Sequence, residues 1–308
     1  MEDVKPVRSG WYNAFRPWSL HGAVVPVLIG GAAAYWYGHM NWWIFVMVLL
    51  CSCLLQSAAN LLNTYGDYVK GTDTMDTLDS RSRSPELVTG TLRPSSVKMA
   101  GLACLGITAL CGIVFIWYIG WGILVFGAFG IAGAGLYTVG VSYKYHAMGL
   151  VSVFFMMGIL IPLGTYYVMS GDISYEVLLM SLPNAFLITA VLSGNETRDY
   201  YEDKKAGVRT FSSILSYKGS LRLYLVLNGI AFPILLALII LQSIPWACGL
   251  AFLALVDMYI LFNNGKGAPA DERKSRLLVP LSFRLNWHFG LLLVAGYLIG
   301  QYLITGAV

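Results

Sequence analysis

Charged residues divide this chain into long uncharged runs. No Asp, Glu, Lys or Arg occurs from Pro17 to Gly66, a stretch of 50 residues. Further gaps cover Met99–Tyr143 (45), Tyr145–Gly171 (27), Val177–Asn195 (19), Leu223–Val256 (34) and Leu285–Val308 (24). A membrane-crossing helix takes about 20 apolar residues. The two longest gaps therefore predict two helices each, with turns at Tyr37–Asn41 and near Ile119–Trp121. The 34-residue gap extends past a lone Asp257 to Asn263 and also fits two, divided at Gln242–Pro245. The expectation is an all-α bundle of nine transmembrane helices forming one domain over residues 1–308. Eight or ten spans are alternatives, because a short apolar hairpin can be re-entrant.

The basic residues support this frame independently. With the N-terminus in the cytoplasm, the four outer connections contain no Lys or Arg, and all 20 basic residues fall on the inner side. An odd number of spans then leaves the C-terminus outside. No small-residue cleavage site follows Lys5, Arg8 and Arg16, so the first span reads as an uncleaved anchor.

Composition narrows the class. Only 12% of residues are charged and 57% are hydrophobic, with mean hydropathy +0.66. Soluble domains carry about 25% charge, so a soluble enzyme and a disordered chain are both excluded. The net charge of +4 suits cytoplasmic loops facing anionic lipid, and no nucleic-acid motif is visible. The five cysteines all lie in predicted spans and read as small core residues, without zinc-site spacing.

Two acidic clusters sit where predicted spans meet the cytoplasm. The first is Asn63, Asp67, Lys70 and Asp73, followed by Asp76 and Asp79. Asn63 and Asp67 share a helix face, and Gly71 can end the helix so that Asp73 turns back. The second is Asn195, Glu196, Arg198, Asp199, Glu202 and Asp203, in which Asn195, Asp199 and Asp203 form one stripe. Converging carboxylates repel unless a cation joins them. Mg²⁺ suits them, since it takes one or two carboxylates and completes its shell with water and substrate phosphate. The pattern predicts a diphosphate clamped by metal ions, with Lys70, Lys144, Arg198 and Arg209 on the remaining oxygens. Helix-end carboxylates that merely solvate a loop are the bland alternative. Asp257 reads either as functional or as a structural carboxylate one turn from the end of its span.

The motifs resemble those of UbiA-type intramembrane aromatic prenyltransferases. The resemblance rests on Asn63-x3-Asp67-x5-Asp73 and Asp199-x3-Asp203. It extends through Phe15-Arg16-Pro17-Trp18, Pro26 to Gly30, Thr89-Gly90 to Pro94, and Gly164 to Tyr167. Leu136-Tyr137-Thr138, Tyr143-Lys144-Tyr145 and Asn195-x-Thr197-Arg198-Asp199 resemble the 1,4-dihydroxy-2-naphthoate branch of menaquinone synthesis and its vertebrate vitamin-K relatives. The resemblance implies Mg²⁺-dependent transfer from a polyprenyl diphosphate to an aromatic acceptor, with loss of carbon dioxide where the acceptor is dihydroxynaphthoate. It implies metal binding and catalysis by Asp67, Asp73, Asp199 and Asp203. Substrate binding would fall to Asn63, Lys70, Tyr137, Tyr143, Lys144, Asn195, Arg198 and Arg209, with Tyr65, Tyr137 and Tyr143 near an allylic cation. The expected setting is a bacterial inner membrane with the site facing the cytoplasm.

Two positions depart from that branch. Glu196 stands where a second asparagine is usual, and Leu150 where an acidic residue usually follows the glycine. The acceptor is therefore left open to 4-hydroxybenzoate, homogentisate, another ring or a lipid-like alcohol. Tail length and oligomeric state are open as well. A secondary transporter with acidic ion sites is the alternative from another class.

Overall fold

A computed structural model describes residues 10–74, 86–137, 146–205 and 207–305. The fold is all-helical, 82% helix, with no strand among the described residues. A short α1 (Gly10–Phe15) leads into α2 (His21–Trp36). Then come α3 (Trp42–Val69), α4 (Pro94–Ile119) and α5 (Ile123–Gly135). The next span is composite: α6 (Gly149–Val153), a π-helical stretch (Phe154–Leu160) and α7 (Ile161–Ser170). It is followed by α8 (Tyr175–Arg198), α9 (Tyr200–Lys205), α10 (Phe211–Ile214) and α11 (Tyr217–Ile240). A 3₁₀ segment (Trp246–Ala254) runs into α12 (Leu255–Gly267), and α13 (Glu272–Arg276) precedes α14 (Leu278–Thr305).

Among the described residues eight helical stretches are long and apolar enough to cross a membrane. The remaining apolar helix, α5, has 13 residues, about 20 Å at 1.5 Å per residue, against a hydrocarbon core of about 30 Å. The expected turns fall where the charge gaps put them: 37–41, 120–122, 171–174 and 241–245 are all non-helical junctions or 3₁₀ entries. Local chemistry explains the ends. Asn41 Oδ1 accepts from the amides of Trp43 and Ile44 and caps α3, and Ser174 Oγ caps α8 through Val177 N. Pro94 opens α4, where its missing N–H costs nothing.

Lipid tails are as apolar as leucine, so helix association in a bilayer depends on close packing and internal hydrogen bonds. Both are visible. At Gly30 of α2 a Cβ would lie 2.4 Å from the Pro162 carbonyl oxygen of α7. At Gly158 it would lie 2.4 Å from Ala185 Cβ of α8, and at Gly296 2.5 Å from the Ala247 oxygen. Among fully buried polar groups, Asn286 Nδ2 donates to Asn184 Oδ1 at 2.8 Å, and Ser282 Oγ donates to Asn228 Oδ1 at 3.1 Å. Tyr224, wholly buried, donates its hydroxyl to Leu278 O at 2.7 Å and ties α11 to α14. Replacing Tyr224 by Phe is expected to cost about 1 kcal/mol. Thermal denaturation in detergent measures it, and an unchanged midpoint would show the bond to be dispensable.

Asp257 requires a correction. It lies in the first turn of α12 but near the middle of the whole span Trp246–Gly267, ten residues or about 15 Å from Gly267. Arg284 also lies within a helix, the seventh residue of α14, rather than in the preceding loop. The two correct each other physically. Asp257 Oδ1 is 2.8 Å from Arg284 Nε, and Oδ2 is 2.6 Å from His288 Nδ1, so mutual neutralisation lets both charges sit inside the span. The five cysteines are free, and three of them are buried, as core residues should be.

Candidate active site

The first acidic cluster is shaped by the end of α3. Lys70 caps the helix and Gly71 turns into the left-handed region at φ 69°, which glycine adopts without a Cβ clash. Thr72 N then bonds Asp67 O at 2.9 Å and Gly71 N bonds Tyr68 O at 3.1 Å, the paired bonds of a Schellman motif. Asp73 N also reaches Asp67 O, at 3.2 Å. The chain thus folds Asp73 back over its own helix end. Asn63, Asp67 and Asp73 are buried, whereas Lys70 is exposed. Asp76 and Asp79 lie outside the described residues.

One residue near this cluster escaped the sequence reading as a site residue. Arg16 adopts φ 51° and ψ 57°, a left-handed conformation that costs a non-glycine residue about 1 kcal/mol or more. The conformation is held from both sides. Ser19 N and Oγ bond Arg16 O at 2.8 Å each, and Asn60 Nδ2 of α3 bonds Phe15 O and Ser19 Oγ. The guanidinium Nη2 then reaches Thr64 Oγ1 at 3.4 Å, between Asn63 and Asp67 in sequence. The arginine could be seen in the Phe-Arg-Pro-Trp motif, but its aim is set by contacts 40 to 50 residues away.

The second cluster straddles a nearly continuous helix. Although α8 ends at Arg198, Asp199 N bonds Asn195 O at 3.0 Å and Asp203 N bonds Asp199 O at 2.8 Å, so the stripe of Asn195, Asp199 and Asp203 is kept. Asp203 is buried; Asn195 and Asp199 are partly so. Arg198 grips its neighbour Asp199 through two parallel bonds, Nε to Oδ1 at 2.7 Å and Nη2 to Oδ2 at 2.8 Å. Arg209 is exposed at the surface, and its carbonyl accepts from Ala147 N at 3.0 Å. Tyr137 is half-buried. Tyr143 and Lys144 lie outside the described residues.

Among the described residues no three His, Cys, Asp or Glu side chains stand close enough to hold a metal ion by themselves. The donors are nonetheless of the right chemistry for Mg²⁺: buried or partly buried, hard carboxylate and amide oxygens at helix ends. Mg²⁺ characteristically takes only one or two carboxylates and fills its octahedron with water and phosphate. Asp67, Asp73, Asp199 and Asp203 would supply the carboxylates. An apolar cavity of about 430 Å³ opens beside Tyr65, bounded by Leu62 of α3, Leu102 of α4 and Ile131 of α5. Lys98 stands at it with its ammonium 5.5 Å from the Tyr65 ring centroid.

Comparison with known proteins decides the family. Residues 23–287 match the model of the UbiA prenyltransferase family. The chain belongs to that family. It is 28% identical to the 1,4-dihydroxy-2-naphthoate octaprenyltransferase of Bacillus subtilis, over 93% of this chain and 91% of that one. To the protein of the same name from Mycobacterium tuberculosis it is 31% identical, covering 88% and 89%. Its fold matches a UbiA homologue from Aeropyrum pernix with TM-score 0.68 at 15% identity, covering 91% and 98%. It also matches a UbiA homologue from Archaeoglobus fulgidus, solved with GPP and Mg²⁺, with TM-score 0.61 at 14% identity, covering 92% and 99%. The protein is thus an integral membrane prenyltransferase, and the transporter reading falls.

Proposed function

We propose that this UbiA-family enzyme transfers a polyprenyl group from its diphosphate to 1,4-dihydroxy-2-naphthoate, with decarboxylation, to give the quinol form of demethylmenaquinone. The reading is supported by two acidic helix ends, the buried Asn63/Asp67/Asp73 and the partly buried Asn195/Asp199/Asp203, on a chain whose curated relatives bear that enzymatic name. In the proposed arrangement one domain over residues 1–308 carries nine spans. The N-terminus is cytoplasmic, the C-terminus is outside, and both acidic ends face the cytoplasm of a bacterial cell.

Mg²⁺, when bound, neutralises charge on the departing diphosphate. The chain's own groups do the rest. Asn63 and Asn195 orient phosphate oxygen or water without adding charge. Arg198, Lys70, Lys144, Arg209 and Arg16 bind phosphate oxygens. The breaking bond joins the allylic carbon to the diphosphate oxygen. The new bond joins that carbon to the ring, and the ring carboxylate leaves as carbon dioxide. Tyr65, Tyr137 and Tyr143 offer aromatic faces to the cation. The cavity beside Tyr65 takes the first isoprenoid units of the tail.

The test is incubation of purified protein with Mg²⁺, a polyprenyl diphosphate and a panel of aromatic acceptors, read by mass spectrometry. A product equal in mass to the prenylated naphthoate less carbon dioxide supports the reading. Exclusive prenylation of 4-hydroxybenzoate or homogentisate would replace the acceptor, and no Mg²⁺-dependent product at all would sink it.

A further inference from the structure

The bundle has a second recess, at the end opposite the acidic helix ends. It is a cavity of about 680 Å³ where the end of α2, the start of α8, the turn after α11 and the side of α14 meet. Glu176 lines it at the start of α8. Asp199 follows the far end of the same helix, about 35 Å away along the axis. The diphosphate chemistry does not reach this cavity.

Its lining is aromatic with one carboxylate. Trp36, Tyr37, Tyr175, Trp246 and Tyr297 surround it together with Glu176. Tyr297 is buried and Trp36 meets it edge to face, with centroids 5.5 Å apart, while Tyr175 and Trp246 are exposed. Burial, and after it the Glu176 carboxylate, push the Tyr37 phenol above its ordinary pKa, so that ring and that charge lie within electrostatic reach. Ser174 Oγ donates to Glu176 Oε2 at 2.7 Å, and no Lys, Arg or His pairs with Glu176 among the described residues. The sequence explains why. Tyr37–Asn41, Ile119–Trp121, Gly171–Glu176 and Gln242–Pro245 contain no Lys or Arg, and Asp172 adds a second negative charge.

Gln242 adds a neutral acceptor. Ser243 N bonds Leu238 O at 2.9 Å and Gln242 N bonds Ile239 O at 3.0 Å, so α11 closes in a Schellman motif. Glycine usually fills the position that Gln242 holds at φ 54°. A side-chain amide thus stands at the cavity against the backbone preference. Aromatic faces attract cations through their quadrupoles, and groups of such rings hold alkylammonium ions. A carboxylate without a basic neighbour supplies the matching charge. An anion would be repelled by it, and a neutral isoprenoid would gain nothing from it.

We infer that this cavity binds an alkylammonium group, paired with Glu176 and lined by the five rings. On the proposed topology it opens at the outer face of the membrane. There the group comes either from the headgroup of an ethanolamine phospholipid or from a soluble amine. The inference does not rest on the identity of the aromatic acceptor.

The experiment has two arms, each with the full-length protein in detergent as wild type, Glu176→Gln and Trp246→Leu. Native mass spectrometry with equimolar phosphatidylethanolamine and phosphatidylglycerol reads the lipid source. Calorimetric titration of delipidated protein with ethanolamine reads the soluble one. Wild type is expected to retain phosphatidylethanolamine about tenfold over phosphatidylglycerol, which identifies a headgroup, or to bind ethanolamine without lipid preference, which identifies a soluble amine. Glu176→Gln keeps an acceptor for Ser174 and should weaken that binding about tenfold. Trp246→Leu keeps apolar surface and should weaken it about threefold. Glu176 also suits the positive N-terminus of α8. If that is its whole role, Glu176→Gln lowers the melting midpoint and leaves binding intact. Binding that survives either substitution undiminished overturns the inference. Wild type that neither prefers phosphatidylethanolamine nor binds ethanolamine overturns it without any variant.

Discussion

Asp67→Asn is expected to reduce prenyl transfer about 10³-fold while the protein still inserts and folds. The isosteric amide keeps the Asp67 carbonyl, and with it the bonds from Thr72 N and Asp73 N that shape the end of α3. What it removes is one negative oxygen from a buried helix end. If the carboxylate holds Mg²⁺ against the diphosphate, its loss raises the barrier to bond cleavage, and binding of the isoprenoid tail suffers less. Turnover by single-turnover product formation, with folding followed by thermal melting, separates the two. Asp199→Asn should behave alike, with one difference: it also cuts the two-bond grip of Arg198. Near-normal turnover in purified Asp67→Asn would remove the metal-binding reading of the first cluster. Normal turnover in Asp199→Asn alone would confine the metal to the end of α3.

The second large effect is on stability. Gly30→Val should cost about 3 kcal/mol and lower the melting midpoint of the detergent-purified protein. Any Cβ at this position meets the Pro162 carbonyl oxygen at 2.4 Å and Thr165 Cβ at 2.7 Å. Neither can swing aside, because one is backbone and the other is a buried β-branched residue whose hydroxyl bonds Ile161 O. The helices α2 and α7 must therefore separate, and lipid offers no hydrophobic force to press them together again. Gly106, whose Cβ position is open, is the control: Gly106→Val should leave the midpoint nearly unchanged. Equal midpoints for Gly30→Val and wild type would mean that the α2–α7 contact is looser than it stands here.

Much of the frame could be read from the residues because one constraint dominates a bilayer. Backbone groups must be satisfied within a helix, and charge must stay near water, so uncharged runs mark spans and basic residues mark the inner side. The turns at Tyr37–Asn41 and Gln242–Pro245 follow from that alone, and the return of Asp73 follows from the local chemistry of Gly71. The failures have one cause. Asp257 and Arg284 look like span-end charges when read singly, and they are tolerated inside spans only because helices α12 and α14 bring them together with His288. Arg16 looks like one more basic residue before a span. Its strained backbone and its reach to Thr64 depend on Asn60, which is 44 residues later in the chain.

Chain composition and charge spacing by themselves determined an all-helical membrane bundle, the places where its helices end, and two carboxylate-bearing ends rich in asparagine. These are local properties, set by one segment's transfer between lipid and water. Only the tertiary structure decided that α5 is short, that Gly30 sits against a carbonyl, and that Glu196 reaches past its own stripe to Ser212 and Gly149. Those depend on which helix faces which, and the helix faces are chosen by side-chain contacts among residues far apart in the chain, which no periodicity along a single segment records.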